Sequence, residues 1–85
     1  MLKDKMAETG TILKMGRVAR GLALHEVAEK TRVSWYYLKA IEEGRYHVIP
    51  QAFDIVYIRM YSDFLDADTR QLLARYKRER GGLPQ

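Results

Sequence analysis

The amino-acid sequence predicts an all-α protein built from five helices. Apolar residues recur at helical spacing along most of the chain, and residues that start or stop helices separate these stretches. Apolar–polar alternation is nowhere sustained long enough to predict a strand. Because 85 residues allow one small hydrophobic core, we expect a single domain at residues 11–80, with a polar segment at 1–10 before it and a tail at 81–85 after it.

The first predicted helix follows the polar segment. Ile12, Met15 and Val18 form an apolar stripe at helical spacing. Gly21 follows this stripe at a position suited to end a helix, because glycine readily adopts the left-handed conformation of a C-terminal cap.

Two short helices joined by a tight turn come next. The first begins at Leu22, and three turn residues at 31–33 separate it from Ser34, a good N-cap for the second helix. Gly44 closes this second helix at its C-terminal end. Two short helices with this connection form a helix-turn-helix motif, which the sequence places at residues 22–44.

Two more helices are predicted in the second half of the chain. Pro50 is tolerated in the first turn of a helix, and no other helix breaker follows it before about residue 65, so we expect a helix at 50–65. Asp68 and Gln71 have the spacing of a variant capping box. They predict the start of a fifth helix at residues 69–80.

The composition excludes several classes of functional site. The chain has no cysteine, which removes disulfides, thiolate nucleophiles and cysteine-containing zinc sites. The two histidines, His25 and His47, lack a partner at a spacing that a catalytic or metal site needs. We therefore expect no enzymatic activity, no small-molecule substrate, no cofactor and no metal.

The charge of the chain is concentrated at its two ends. The net charge is +4, with +3 from residues 1–20, −3 from 21–68 and +4 from 69–85. A net positive charge is typical of proteins that bind nucleic acids. The helix-turn-helix motif, however, lies in the acidic segment 21–68. The C-terminal cluster at 75–80 also complements the dipole at the end of a helix.

The sequence gives no sign of export or of a membrane span. Residues 1–10 lack the apolar core of a signal peptide. No run approaches the roughly 18 uninterrupted apolar residues that a spanning helix requires. We therefore expect this part of the protein to be soluble and cytoplasmic.

The motif resembles the repressor-type helix-turn-helix family of bacteria and phages, the lambda-repressor-like proteins. Ala28 is small enough to let the two helices cross closely, and Val33 can seal the turn against the core. The matching positions are Val27-Ala28 in the first helix, Val33-Ser34 in the turn, and Ile41-Glu42 followed by Gly44 in the second helix. This resemblance implies a lambda-repressor-like fold in the first half of the chain and DNA binding as one expected activity.

Two positions depart from the DNA-binding members of that family. Such members usually open the first motif helix with a phosphate-contacting glutamine, where this chain has Leu24 or His25. They usually have glycine in the turn, where this chain has Arg32. Both departures resemble instead the cytoplasmic domains of the RodZ family of bacterial cell-shape proteins.

The resemblance to RodZ domains covers about Thr11 to Tyr76, so it extends beyond the motif. One position departs from it, because RodZ domains usually have glycine before the aromatic residue of the fourth helix and this chain has Val56. The matching segments, in order, are Gly21-Leu22, TRVS at 31–34, Tyr37-Leu38, AIEEGRY at 40–46, Ile49-Pro50, Tyr57-Ile58-Arg59 with Tyr61, Phe64-Leu65, Asp68, and LLARY at 72–76.

The resemblance to RodZ implies a protein partner. RodZ domains contact the actin-like protein MreB through aromatic residues of the helix that corresponds to 50–65, and a basic juxtamembrane stretch leads from them into a membrane span. We therefore expect a non-enzymatic module that binds an MreB-like protein in cell-shape maintenance. These 85 residues contain no span, so the chain is either a domain of a longer single-span membrane protein or a stand-alone relative.

The helix at 50–65 is the candidate docking element. Its apolar residues spread over about 260° of the helix, whereas a surface helix needs an arc of about 100°. It is therefore either a central helix wrapped by its neighbours or a helix with part of its arc left exposed for a partner. The RodZ resemblance favours the second interpretation, with Tyr57 and Tyr61, one turn apart, and Phe53 as the docking residues.

DNA binding remains the alternative function. It would use the outward face of the second motif helix, whose opposite side, with Tyr37, Leu38 and Ile41, is expected to point inward. Glu42 and Glu43 are also predicted on the outward face, with an internal position for Glu42, common in this fold, as the alternative. DNA readers usually present Arg, Lys, Asn or Gln to base edges, so this face offers them little. The residues that would contact DNA are Trp35, Tyr36, Lys39 and Arg32.

Overall fold

The computed structural model describes residues 8–81, and within them five α-helices and one short 3₁₀ helix. No strand occurs among these residues. The prediction of an all-α fold with a helix-turn-helix in its first half is therefore confirmed. The helices are α1 (Glu8–Ala19), α2 (Leu24–Thr31), α3 (Trp35–Glu42), the 3₁₀ helix (Tyr46–Val48), α4 (Phe53–Phe64) and α5 (Thr69–Gly81).

The first and last α-helices extend slightly beyond the segments predicted for them. Helix α1 begins at Glu8, so the last three residues of the predicted polar segment belong to the first helix. Helix α5 ends at Gly81, one residue later than predicted. The remainder of the polar segment, 1–7, and of the tail, 82–85, lies outside the described residues.

Two helices begin later than predicted, and each for a local reason. Helix α2 begins at Leu24 because Ala23 is its N-cap, with the Ala23 amide donating to Glu26 Oε1 at 2.8 Å. Helix α4 begins at Phe53 because Ala52 has a φ of 79°, which interrupts a right-handed helix. The proline at position 50 therefore starts a turn, closed by the Phe53 amide on the Pro50 carbonyl at 3.0 Å.

The predicted caps of α3 and α5 are present. Ser34 Oγ accepts from the Tyr36 amide at 3.1 Å, and Asp68 Oδ1 accepts from the Gln71 amide at 3.1 Å. Gly44 has the positive φ of 75° that a left-handed terminus requires. Each of these signals acts within three residues of the chain, which is why sequence reasoning could find them.

Replacing Ser34 with alanine is expected to lower the free energy of unfolding by about 1 kcal/mol, because one amide of the first turn of α3 loses its acceptor. Urea denaturation measures the change. Ser34→Asp supplies another cap oxygen and should stay close to the parent. Equal losses in both variants would contradict the assignment of Ser34 as a cap.

The core lies where α4 meets the helix-turn-helix and where α1 bridges to α5. Helix α1 packs on α3 and α5, and α4 packs on α2, α3 and α5. Val33 is buried under the turn, as expected from its position. Every α-helix contributes buried side chains, and so do the segments between them: Leu13, Val27, Leu38, Ile41, Ile58, Tyr61, Leu72 and Tyr76 from the α-helices, with Tyr46, Ile49 and Leu65 from the connections.

A buried polar triad joins α1, α3 and α4. Arg17 binds Glu42 through two hydrogen bonds, Nε to Oε2 at 2.8 Å and Nη2 to Oε1 at 3.1 Å. The Tyr61 hydroxyl donates to the same Glu42 carboxylate. These contacts raise the pKa of Arg17 through its hydrogen bond to Glu42, and burial raises the pKa of Tyr61. The outward position that the helical projection gives Glu42 is therefore wrong, and the alternative of an internal position is confirmed, because its carboxylate joins three helices.

Among residues 8–81, no helix is both long enough and apolar enough to cross a membrane.

Candidate functional site

The outer side of α4 exposes a row of apolar side chains. Phe53 is 50% exposed at the N-terminal end of the helix, and Val56 and Phe64 are also exposed. Tyr57 and Met60 lie between them and are partly buried. Steps of three and four residues keep all five on one side of the helix, within an arc of about 100°. We call this row, Phe53, Val56, Tyr57, Met60 and Phe64, the α4 face.

Tyr61 does not belong to the α4 face. Its side chain is 0% exposed, so the predicted docking edge formed by Tyr57 and Tyr61 is wrong at Tyr61. Four residues turn a helix by about 400°, and the surplus of about 40° carries Tyr61 into the contact with α3, where it meets Glu42. The accessible aromatic pair one turn apart is Phe53 and Tyr57.

Four aromatic rings form a continuous stack from α4 to α3. The Phe53 and Tyr57 ring centroids are 5.8 Å apart, and the Tyr57 and Tyr37 centroids are 5.6 Å apart with an interplanar angle of 18°. Tyr36 follows at 5.6 Å from Tyr37, tilted by 58°. We call Phe53, Tyr57, Tyr37 and Tyr36 the aromatic ladder. It makes one surface out of residues from two helices.

Tyr37 is the member of the ladder that sequence reasoning missed as a functional candidate. The helical projection predicted that it points inward, but it lies at the edge of the core, partly buried between Tyr36 and Tyr57. A signal for this position exists in the sequence. Trp35, Tyr36 and Tyr37 are consecutive, and at about 100° per residue three consecutive rings cannot all face the core.

The outward face of α3 carries Trp35 and Tyr36, both exposed as predicted. Lys39 is held there by Glu43, with its Nζ 2.9 Å from Oε2, and lies 5.6 Å from the centroid of the Trp35 ring. Arg45 contacts the same Glu43 carboxylate at 2.8 Å. These two cations lower the pKa of Glu43 through their hydrogen bonds. Both cations of this face are therefore paired, which leaves less positive charge for DNA phosphates.

Arg32 lies apart from Lys39, in the turn between α2 and α3. It ends α2 with a φ of 66°, and its amide donates to the Ala28 carbonyl at 2.9 Å. This is a left-handed conformation that glycine adopts without strain. Arg32 thus forms the C-terminal cap that glycine forms in repressor-type proteins. It also adds an exposed guanidinium to the turn.

Comparison with known proteins supports the helix-turn-helix fold and identifies a relative of the chain. The family described as "helix-turn-helix domain" matches residues 12–72. The uncharacterized membrane protein YmfM of Bacillus subtilis (strain 168) is 30% identical over 59 residues, which are 68% of this chain and 20% of that protein. The chain thus spans about one fifth of the length of this relative. No solved structure matches the chain.

The family match includes the whole helix-turn-helix motif. It begins inside α1, continues through α4 and ends at Leu72 in α5. It therefore covers α4, which carries the α4 face, as well as the two helices of the motif. On this match, the chain belongs to the helix-turn-helix domain family.

Proposed function

We propose that this domain is a non-enzymatic, RodZ-like module that binds an MreB-type actin-like filament in cell-shape maintenance. The observation that carries the proposal is the aromatic ladder together with the α4 face, which presents Phe53 and Tyr57 beside exposed Val56 and Phe64. Small soluble domains rarely expose a continuous apolar surface unless it binds something. Aromatic side chains at the centre of such a surface are the usual anchors of a protein interface.

The ladder suits a protein partner because its rings are held in place before binding. Tyr57 stacks on Phe53 on one side and on Tyr37 on the other. Rings already fixed by their neighbours lose little conformational freedom when a partner covers them. The half-exposed Phe53 and Tyr36, at the two ends of the stack, remain free to enter pockets on a partner.

The cellular setting of the proposal comes from the relative and from the RodZ resemblance. YmfM is described as a membrane protein, and this chain corresponds to about one fifth of it. We place the domain in the cytoplasm, as the cytoplasmic part of a single-span inner-membrane protein. A filament bound at the aromatic ladder would then be linked to the membrane.

DNA binding is the second candidate function. In its favour, Trp35, Tyr36 and Arg32 are exposed on the helix-turn-helix, in the region where related motifs enter the major groove. Against it, Glu43 pairs with Lys39 and would bring a carboxylate toward the phosphates. Protein binding is therefore the better supported of the two.

Phe53→Ala and Tyr57→Ala are each expected to weaken binding to purified MreB filaments by about 2 kcal/mol, because each removes an anchor ring. Co-sedimentation with the filaments measures the affinity. Phe53 is half exposed, so its replacement should leave the thermal unfolding of the domain nearly unchanged. Tyr57→Phe keeps the stacked ring and Trp35→Ala removes an exposed ring outside the ladder, so both should bind like the parent.

The two candidate functions respond differently to salt. A DNA complex with six or more phosphate contacts should lose on the order of 10³-fold in affinity between 50 and 200 mM salt. Lys39→Ala should weaken the DNA complex, whereas Phe53→Ala should leave its affinity unchanged. Specific, salt-sensitive binding of a short duplex with this pattern, and filament binding that Phe53→Ala leaves intact, would reverse the order of the two proposals.

A further inference from the structure

A second apolar surface lies on α1, away from the aromatic ladder. Met15 is 65% exposed and Val18 is 58% exposed, and Ile12, one turn earlier, is exposed as well. These are the residues of the apolar stripe that predicts the first helix, yet only Leu13 from this part of α1 is fully buried. The stripe therefore faces away from the core, and we call Ile12, Met15 and Val18 the α1 stripe.

The packing of α1 explains why the stripe is free. On one side, Gly10 lies directly against the Ile41 carbonyl of α3. On another side, α5 runs antiparallel to α1, and Thr9 Oγ1 donates to Glu79 Oε1 at 2.6 Å. Helix α1 is held between these two neighbours, which leaves its remaining side to solvent.

Positive charge is concentrated on the same two helices. Residues 8–20 and 69–81 carry eight Lys and Arg against two Glu, a net charge of +6, whereas residues 21–68 carry five against eight, a net charge of −3. Two of these eight cations are paired, Arg17 with Glu42 and Arg75 with Glu8. The six others are exposed and have no ion pair within residues 8–81: Lys14, Arg20, Arg70, Lys77, Arg78 and Arg80.

Basic side chains lie on both sides of the α1 stripe, Lys14 on α1 and Arg75 on α5. On α1, Lys14 lies about 40° from Val18 around the helix. On α5, Arg75 lines a shallow groove with Ile12 and with Asp68, which precedes the helix. The unpaired Arg78 follows Arg75 by three residues on the same side of α5. The stripe is thus an apolar strip with basic residues on both of its long edges.

We propose that the α1 stripe rests on an anionic lipid bilayer. Met15, Val18 and Ile12 enter the boundary between headgroups and acyl chains, and Lys14 and Arg78 contact lipid phosphates. An apolar strip with Lys and Arg beside it is the pattern by which helices bind in the plane of a bilayer. Clustered cations add attraction to anionic leaflets. The similarity to part of a membrane protein agrees with such a surface being within reach.

The charge of this surface argues against the two other occupants. A second copy of the chain would bring the same unpaired cations, among them Lys14 and Arg78, against those of the first, and the like charges would repel. Nucleic acid would use the cations but gain little from the apolar strip at their centre, because phosphate contacts are made by basic and polar groups. Of these three occupants, the anionic bilayer is the one that uses both the apolar strip and the cations.

Flotation of the 85-residue chain with vesicles tests this proposal. Binding is expected to vesicles of phosphatidylglycerol mixed with phosphatidylcholine, and not to vesicles of phosphatidylcholine alone. Lys14→Gln and Arg78→Gln should each weaken binding about 5-fold. Met15→Glu combined with Val18→Glu should weaken it more than about 100-fold, because the strip can no longer enter the bilayer.

A matched control comes from the other apolar surface. Val56→Glu also places a carboxylate at an exposed valine, but on the α4 face, and it should bind the anionic vesicles like the parent. Circular dichroism must show that all variants remain folded. The proposal would be overturned by equal binding to neutral and anionic vesicles, or by a short DNA duplex that displaces the chain from anionic vesicles. It would also be overturned if the chain bound no vesicles but self-associated, and if Met15→Glu with Val18→Glu abolished this self-association.

Discussion

Gly10→Ala is expected to lower the free energy of unfolding by at least about 3 kcal/mol, at or beyond the upper end of what overpacking usually costs. A Cβ at this position would lie 1.9 Å from the Ile41 carbonyl oxygen and 3.0 Å from Glu42 Cα. Both contacts are with backbone, so no side-chain rotation can relieve them. Helix α1 would have to withdraw from α3, which also pulls Arg17 away from Glu42.

Gly16→Ala is the matched control for this prediction. It lies nearly two turns further along the same helix, and its added Cβ would meet only side-chain atoms at ordinary distances, Leu65 Cδ1 at 3.4 Å and Arg20 Nη1 at 3.6 Å. Alanine also favours helix over glycine by up to about 1 kcal/mol. Urea denaturation should therefore show Gly16→Ala at or above the parent. If Gly10→Ala were as stable as Gly16→Ala, α1 could not approach α3 as closely as it does in the structure.

Glu42→Ala is expected to lower the free energy of unfolding by about 3 to 5 kcal/mol, the range seen when one partner of a buried ion pair is removed. The substitution leaves the largely buried guanidinium of Arg17 without its carboxylate. It also leaves the hydroxyl of Tyr61, which is 0% exposed, without an acceptor. Denaturation monitored by circular dichroism measures the loss.

Two variants separate the triad from a general effect of removing charge. Glu43→Ala deletes the neighbouring carboxylate, which lies on the surface with Lys39 and Arg45, and it should change stability little because exposed pairs are screened by solvent. Tyr61→Phe keeps the buried ring and removes only the hydroxyl, so its cost should be about 1 kcal/mol. A Glu42→Ala protein as stable as Glu43→Ala would mean that the triad does not hold α1, α3 and α4 together.

The local features of this fold could be read from the sequence because each depends on residues close together in the chain. Ser34 and Asp68 cap helices through amides two and three residues away, and Gly44 ends α3 by its own backbone conformation. The same holds for the helix-turn-helix motif, whose two helices and turn occupy one short continuous segment. Phe53, one of the docking candidates named from the sequence, is half exposed, and its role in docking stays a prediction.

The orientation of α4 could not be obtained in this way. A helix with an apolar arc of about 260° has no polar side broad enough to show which part faces solvent, and the contacts of α2, α3 and α5 set its rotation. Those contacts bury Tyr61 against Glu42 and leave Phe53 outside. The burial of Glu42 and the close approach at Gly10 have the same origin. Each depends on residues from helices that are distant in sequence. Arg17 stabilises the buried carboxylate of Glu42, and the Ile41 carbonyl leaves no room for a Cβ at Gly10. Neither partner is known until the helices are packed.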